Sequence, residues 1–287
     1  MKLISFEKAG KASFGAVVGE RIVDLGRHFE GRFATLRDLL TAGLGEIGDI
    51  SRYPTDCALA DVKLLKPVTN PEHIWCLAVN YADHHKEVES AGRAQDLPKY
   101  PAVFARFNDS FAAQDEGLWH PEVSEQFDYE GELAVVIGRG GYRIAAADAF
   151  AHIAGYTILN DGSVRDWQFH TRQITPGKNF YRSGAIGPWI VTADEIPDPY
   201  ALRIETRLNG QVLQSDPAGL MLHKIAGFIE YVSTIAPLQP GDILATGTPS
   251  GVGFSRNPPV WMKPGDVCEV SIDKIGTLRN QIVNPQS

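Results

Sequence analysis

The feature that most restricts the fold of this chain is a series of short apolar or β-branched runs, each closed off by Gly, Pro, Asp or Asn. They fall at residues 132–137, 154–159, 189–192, 202–208, 243–245 and 267–272. Runs this short, with such boundaries, read as strands. Helical spacing is confined to a few places, at residues 35–44, 81–91, 146–153 and 220–234. The last carries Ile225, Phe228, Ile229 and Val232 on one stripe, which is a core-packing pattern. The strand–helix alternation of a doubly wound sheet is missing. No GxGxxG opens a helix and no GxxxxGK[ST] occurs, so nucleotide-cofactor readings lose their main support.

Residues 1–70 read as a small β-rich unit. Residues 2–6 and 16–23 are expected as strands joined through a Gly-bearing turn, and Leu36, Leu39, Leu40 and Leu44 lie at helical spacing. Residues 58–65 run into Pro67 and Pro71, which punctuate the chain. The expected division is therefore 1–70 and 71–287. Pro240-Gly241-Asp242 and Pro264-Gly265-Asp266 each precede a strand-like run and read as turns.

With 287 residues, 44% of them hydrophobic and 22% charged, the chain has a globular composition and enough length to bury a large core. Its net charge of -8 and the lack of any Lys/Arg run argue against a nucleic-acid partner. The three cysteines, Cys57, Cys76 and Cys268, form no CxxC, which argues against a disulfide framework or a cysteine zinc site. The start MKLISFEKAG reaches Glu7 before an apolar segment forms, so no signal peptide is expected. No stretch approaches the roughly 18 apolar residues of a membrane span. A cytoplasmic protein with no membrane partner is the expectation.

The chemistry is concentrated in FDYEGELAVVIG, residues 127–138. Glu130 and Glu132 are two apart at the start of a strand, so both carboxylates share a face. Two such groups at the mouth of a buried strand repel each other and lose solvation, and a hard divalent cation would compensate. An isolated ExE is more often a solvated strand edge. Asp161 adds a third acid at the end of GYTILND, although Asn-Asp-Gly-Ser is equally good helix-cap chemistry. Three carboxylates without Cys or a compact His set favour Mg²⁺ or Mn²⁺ over zinc. Lys178, in PGKNF, is either a fixed cation near a site or a solvated loop residue.

Two further segments carry polar chemistry. In NYADHHKE, His84 and Glu87 are i and i+3 on a helix, so the carboxylate can orient the imidazole as a general base. His85 with Glu89 competes for that role, and a plain polar surface helix explains the segment equally well. LATGTPSGVG, residues 244–253, offers backbone N–H groups and the hydroxyls of Thr246, Thr248 and Ser250 to an anion, or else forms a tight hairpin connection.

The segments NYADHHKE, FDYEGELAVVIGR, AGYTILNDGSVRDWQ, GKNF, GAIGPWIVTADEI, LNGQVLQ, PGDILATGTPSGVG and KPGDVCEV together resemble the fumarylacetoacetate hydrolase family, in its order and spacing, from about Pro71 to Ile282. The resemblance implies an α+β, mainly β fold. Its core is a mixed β-roll, a distorted barrel or sandwich with a few covering helices, preceded by a small N-terminal β-rich unit and usually assembled as a homodimer. It implies Mg²⁺ or Mn²⁺ ligation by Glu130, Glu132 and Asp161, and catalytic roles for His84, Glu87 and Lys178. It places Tyr81, Arg106, Gln214 and Thr248 at substrate-contacting positions. The chain departs from the family where it has Gly162 in NDGSVRD, Ile174-Thr175-Pro176 before the Gly-Lys, and Asn179 after it. These changes bear on substrate side-chain specificity.

The activity implied is metal-dependent hydrolysis of a carbon–carbon bond in a 2,4-dioxo acid of the acylpyruvate type, giving a 2-oxo acid such as pyruvate and a carboxylic acid. The alternatives are decarboxylation of an oxaloacetate-type acid, isomerisation or hydration of an unsaturated 2-oxo diacid, and metal-dependent ligand binding without turnover. The first three share an enolate. The His84–Glu87 pair favours hydrolysis, which needs a base to activate water.

Overall fold

The computed structural model describes residues 1–89 and 99–285. Its larger sheet has twelve strands. The centre is an antiparallel trio, Gly131–Ile137, Ile153–Asn160 and Gly184–Thr192, buried almost throughout. Strands covered on both faces need apolar residues at every position, which is why they appear in the sequence as continuous runs rather than alternating ones. Ile243–Ala245, Ile74–Ala78 and Ala102–Ala105 extend the sheet on one side. On the other side follow Lys2–Lys8, Lys11–Val18, Arg21–Asp24 and Cys57–Ala58. The first strand pairs with Gly184–Thr192 in the register Lys2↔Val191 and Leu3↔Ile190, so the N-terminal strands continue the same hydrogen-bonded sheet.

Each face of the sheet has its own cover. Leu133, Val135, Ile137, Tyr156 and Ile158 pack against a five-stranded sheet and against the helix Ile225–Ile235. That smaller sheet runs in the order Gln211–Pro217, Arg203–Leu208, Val267–Ile272, Gly276–Val283 and Leu118–Trp119. On the opposite face Val136, Ala154 and Ile190 meet Leu36, Leu39 and Leu40 of the helix Leu36–Ala42. Thr35 and Asp38 cap that helix reciprocally, and Gly43 ends it. Ala134, Leu159 and Ile186 pack with Ile74, Cys76 and Phe104 beside them. Among the described residues no sheet closes on itself. The result is the mixed, strand-dominated β-roll expected, with open sheets.

Three elements differ from the sequence expectation, and a fourth is described only in part. Residues 16–23 are not one strand, because Gly19 at φ +60° turns the chain between Lys11–Val18 and Arg21–Asp24. Residues 146–153 form a 3₁₀ helix, Ala146–His152, in place of an α-helix. The helix expected from residue 220 begins at Ile225. The stretch before it is a 3₁₀ turn, Ala218–Leu220, then bends that a Tyr81–Met221 bridge and Asn80 hold out of the helix, the Asn80 side chain accepting from the His223 N–H at 2.7 Å. The helix expected over residues 81–91 is present as Ala82–Val88, and its expected end at 90–91 lies outside the described residues.

The Ile225–Ile235 helix is held by its buried stripe, in which Phe228 is 1% exposed. Phe228→Ala is expected to cost about 3–5 kcal/mol in a urea unfolding titration, the usual cost of deleting a buried ring.

Candidate metal centre and acid–base pair

Sheet register builds the acidic cluster. Gly131 faces Asn160 and Glu132 faces Leu159 across the central pair of strands. The ladder continues one step further, with the Asp161 N–H donating to the Glu130 carbonyl at 2.8 Å. Side chains alternate along each strand, so Glu130, Glu132, Leu159 and Asp161 lie on one face. The three carboxylates are buried, and one oxygen from each lies within 4.8 Å of the others.

Three buried cations approach the cluster. Lys178 Nζ lies 2.7 Å from both Glu130 Oε2 and Asp161 Oδ2. Arg106 Nη1 lies 2.6 Å from Asp161 Oδ1. Arg165 Nη2 lies 2.7 Å from Glu130 Oε1 and 2.8 Å from the buried Asp128. Burial opposes ionisation of Glu130, yet Lys178 and Arg165 outweigh it and hold its carboxyl well below the ordinary range. Burial likewise works against the Lys178 ammonium, but Asp161 and Glu130 raise it above its usual value. Glu132 differs from its neighbours. Burial, then repulsion from Asp161 and Glu130, pushes its carboxyl well above the usual carboxylate range. No ion pair to Glu132 occurs among the described residues.

The glycine-rich loop after Ala245 grips these acids from the other side. Gly247 N–H donates to Glu132 Oε2 at 2.7 Å. Gly251 N–H donates to both oxygens of Glu87 at 2.8 and 2.9 Å. Gly253 and Phe254 N–H groups donate to Asp128 at 2.8 and 3.1 Å. Gly247 and Gly251 have φ of +89° and +102°, a region open chiefly to glycine. Of the anion-binding donors read from this loop, the Gly247, Gly251 and Gly253 N–H groups and the Ser250 hydroxyl go to the protein's own carboxylates, and the Thr246 and Thr248 hydroxyls go to backbone carbonyls.

The remaining sequence candidates fall around this frame. His84 is buried on the Ala82–Val88 helix, and its Nδ1 is 3.5 Å from Glu87 Oε2, the outer limit of a hydrogen bond. Tyr81 precedes the helix and is buried. Gln214 donates to Thr248 Oγ1 at 2.8 Å and to the Pro249 carbonyl at 2.9 Å, and accepts from the Gly131 N–H at 3.0 Å. Thr248 donates to the Gly131 carbonyl at 3.0 Å. Gln214 and Thr248 therefore clamp the peptide between the two glutamates. Arg106 uses its guanidinium on Asp161, the Gly162 carbonyl, Ser110 and Ser183, with Phe111 stacked 4.2 Å away. This geometry makes Arg106 a support for Asp161.

Sequence reasoning missed Arg165 and Asp128. Their signal was faint, an Arg four residues after Asp161 and an Asp two residues before Glu130.

These residues fit a hard divalent cation. The donors are carboxylate oxygens only, and four buried acids (Asp128, Glu130, Glu132, Asp161) face three buried cations (Arg106, Arg165, Lys178). Glu132 is the acid left without a counter-charge, and a bound Mg²⁺ or Mn²⁺ would supply it. A buried carboxylate cluster able to hold a divalent cation, in a chain whose His84 and Glu87 lie within 3.5 Å of each other, is the arrangement a metal-dependent enzyme could use.

Comparison with known proteins names the family. The fumarylacetoacetate hydrolase C-terminal domain matches residues 73–283, and the chain belongs to that family. It is 41% identical over 226 residues to a mitochondrial oxaloacetate tautomerase of Bos taurus, covering 78% of this chain and 70% of that one. It is 40% identical over 253 residues to an oxaloacetate tautomerase of Bacillus subtilis, covering 85% and 83%. Among solved structures, a fumarylacetoacetate hydrolase from Exiguobacterium antarcticum superposes with a TM-score of 0.87 at 35% identity, over 99% of this chain and 100% of that one. A maleylpyruvate hydrolase from Sphingobium sp. SYK-6, in complex with manganese(II) and pyruvate, gives 0.81 at 28% identity, over the whole of both chains.

Two measurements probe the cluster. Arg106→Met leaves Asp161 buried without its guanidinium and is expected to lower stability by about 3–5 kcal/mol in urea. Glu132→Gln keeps an acceptor for Gly247 but removes the charge. Calorimetric titration with Mn²⁺ should then show a loss of affinity exceeding the roughly 10–100-fold caused by disturbing an outer partner.

Proposed function

We propose that this protein is a metal-dependent oxaloacetate tautomerase, interconverting the enol and keto forms of that 2-oxo diacid. The observation that carries the reading is the agreement of two relatives from distant organisms. Both are at least 40% identical over most of this chain, and both are named for that activity. The sequence reading favoured hydrolysis of an acylpyruvate, with decarboxylation of an oxaloacetate-type acid or isomerisation of an unsaturated 2-oxo diacid as alternatives; the relatives' names support those alternatives better than hydrolysis, and tautomerisation itself was not foreseen.

The residues suit a proton transfer. The enol becomes the ketone when the 2-hydroxyl loses a proton and C3 gains one. A divalent cation held by Glu130, Glu132 and Asp161 would supply Lewis-acid polarisation of the 2-oxo group. His84, oriented by Glu87, is the group we assign to carry the proton, since imidazole exchanges protons near neutral pH. Glu87 is fixed by its two bonds from the Gly251 N–H, so the pair is held in place from the loop. Lys178 stays charged between Glu130 and Asp161 and contributes fixed positive potential where negative charge develops on the substrate.

Hydrolysis remains the second reading, favoured by the same His84–Glu87 pair and by the maleylpyruvate hydrolase neighbour. The deciding experiment adds enol-oxaloacetate to chelator-stripped protein with and without Mg²⁺ and follows enol, keto form, pyruvate and CO₂ together. Tautomerase activity gives the keto form faster than the Mg²⁺-only control, without excess pyruvate. Pyruvate with CO₂ would indicate a decarboxylase. Failure with oxaloacetate alongside cleavage of an acylpyruvate would return the reading to hydrolysis. His84→Gln is expected to retain Mn²⁺ affinity and to lose about 10²–10⁴-fold in turnover.

A further inference from the structure

The donor that fixes Glu87 comes from a residue with little stiffness of its own. The Gly251 N–H bonds both Glu87 oxygens, and glycine rotates more freely about its own backbone than any other residue. Gly251 sits at φ +102°, and a Cβ built there would collide with the Leu213 carbonyl, so the position is closed to a stiffer residue. The aim of its N–H therefore has to be set by neighbouring side chains.

Four side chains do so. Before Gly251, Gln214 donates to the Pro249 carbonyl at 2.9 Å and the Ser250 hydroxyl donates to Asp216 at 3.1 Å. After it, the Gly251 carbonyl accepts from the Tyr129 hydroxyl at 3.0 Å and from Arg256 Nε at 3.1 Å. Arg256 Nε also reaches the Tyr129 oxygen at 3.2 Å, and Arg256 Nη2 donates to the Leu213 carbonyl, the group that bars a side chain at position 251. Arg256 is half-buried, and no carboxylate pairs with it among the described residues. Its guanidinium is spent on uncharged oxygens, so it serves here as a rigid fork of donors and not as a counter-charge. With the chain fastened on both sides of Gly251, both of its backbone torsions are held and its N–H points at Glu87.

We propose that Arg256 and Tyr129 are positioning residues for the acid–base pair. By holding the Gly251 carbonyl they aim the Gly251 N–H at Glu87, and Glu87 in turn orients His84. The proton-transfer role of His84 rests on the tautomerase reading above; the aiming of Glu87 through this chain of bonds goes beyond it. Both side chains act through Gly251 and not on the substrate.

The test compares Arg256→Met, which removes the guanidinium donors, Tyr129→Phe, which removes one oxygen, and the double variant with the wild-type protein. Mg²⁺-loaded enzyme is assayed for kcat and KM on enol-oxaloacetate, Mn²⁺ affinity is measured by calorimetry, and exchange of single glycine amides is followed by NMR in the full chain. The expected loss in kcat is about 10–100-fold for Arg256→Met, the range for removing an outer supporting partner, and about fivefold for Tyr129→Phe, the effect of one neutral hydrogen bond. KM and Mn²⁺ affinity should change by less than the roughly 10-fold that disturbing a metal's partner costs. The double variant should lose less than the product of the single losses, because both groups act on one carbonyl. In each single variant the Gly251 amide should exchange faster, whereas the Gly247 and Gly253 amides, bound to Glu132 and Asp128, should exchange as in wild type. Unchanged Gly251 exchange, or unchanged kcat in Arg256→Met, overturns the proposal. So does equal acceleration at all three amides, which would mean a loosened loop and not a misdirected donor, or a fall in Mn²⁺ affinity that parallels the loss in kcat. If wild-type protein does not interconvert the tautomers, the activity reading fails, and the exchange comparison still judges the aiming of Gly251 by itself.

Discussion

Everything around the site answers to one constraint: four carboxylates are buried within the end of a sheet, where water cannot solvate them. Charge burial of this kind is tolerated only with partners at hydrogen-bond distance. Arg106, Arg165 and Lys178 supply three of the partners, and the backbone N–H groups of Gly247, Gly253 and Phe254 supply others. The central strands are rigid and buried on both faces because they have to hold these groups in place. The glycines after Ala245 are needed because only a backbone without Cβ can turn its amides into such close range of the acids.

The same loop also reaches the Ala82–Val88 helix. Gly247 holds a metal-cluster acid, Gly251 holds Glu87, and Gly253 holds Asp128, which Arg165 joins to Glu130. The acid–base pair and the metal cluster are thus referenced to one short run of backbone. Sites are more accurate when their supporting contacts come from rigid elements, and here a loop acquires that rigidity from the carboxylates it binds.

The acidic cluster was legible in sequence because it breaks a rule. Glu130 and Glu132 sit at period two on the threshold of a wholly apolar strand, and Asp161 ends the next one, so strand geometry alone gives them a common face. The strands were legible for the same reason, since double-sided burial writes continuous apolar runs. What period and composition do not encode is long-range pairing. Arg165 looked like an ordinary basic residue, and Arg106 was read from the family resemblance as a substrate contact; their ion pairs come from a fold that brings residues 106, 161 and 165 to one place. LATGTPSGVG was legible as a set of backbone donors, but the acceptors are residues 87, 128 and 132, which local turn chemistry cannot name. The late start of the Ile225–Ile235 helix was hidden similarly, because Asn80, far away in the chain, ties down His223 just before it.

The dispersal of the counter-charges has a consequence for how the chain folds. The acids come from residues 128–161, whereas their partners come from residues 106, 165, 178 and 247–254. A subset of this sheet collapsing early would bury carboxylates before the groups that stabilise them had arrived. Such partly assembled states would carry the cost of unpaired buried carboxylates, so opening this region is expected to expose the acids and their partners together. The charge pairing that shapes the candidate site thereby also bears on how the chain assembles.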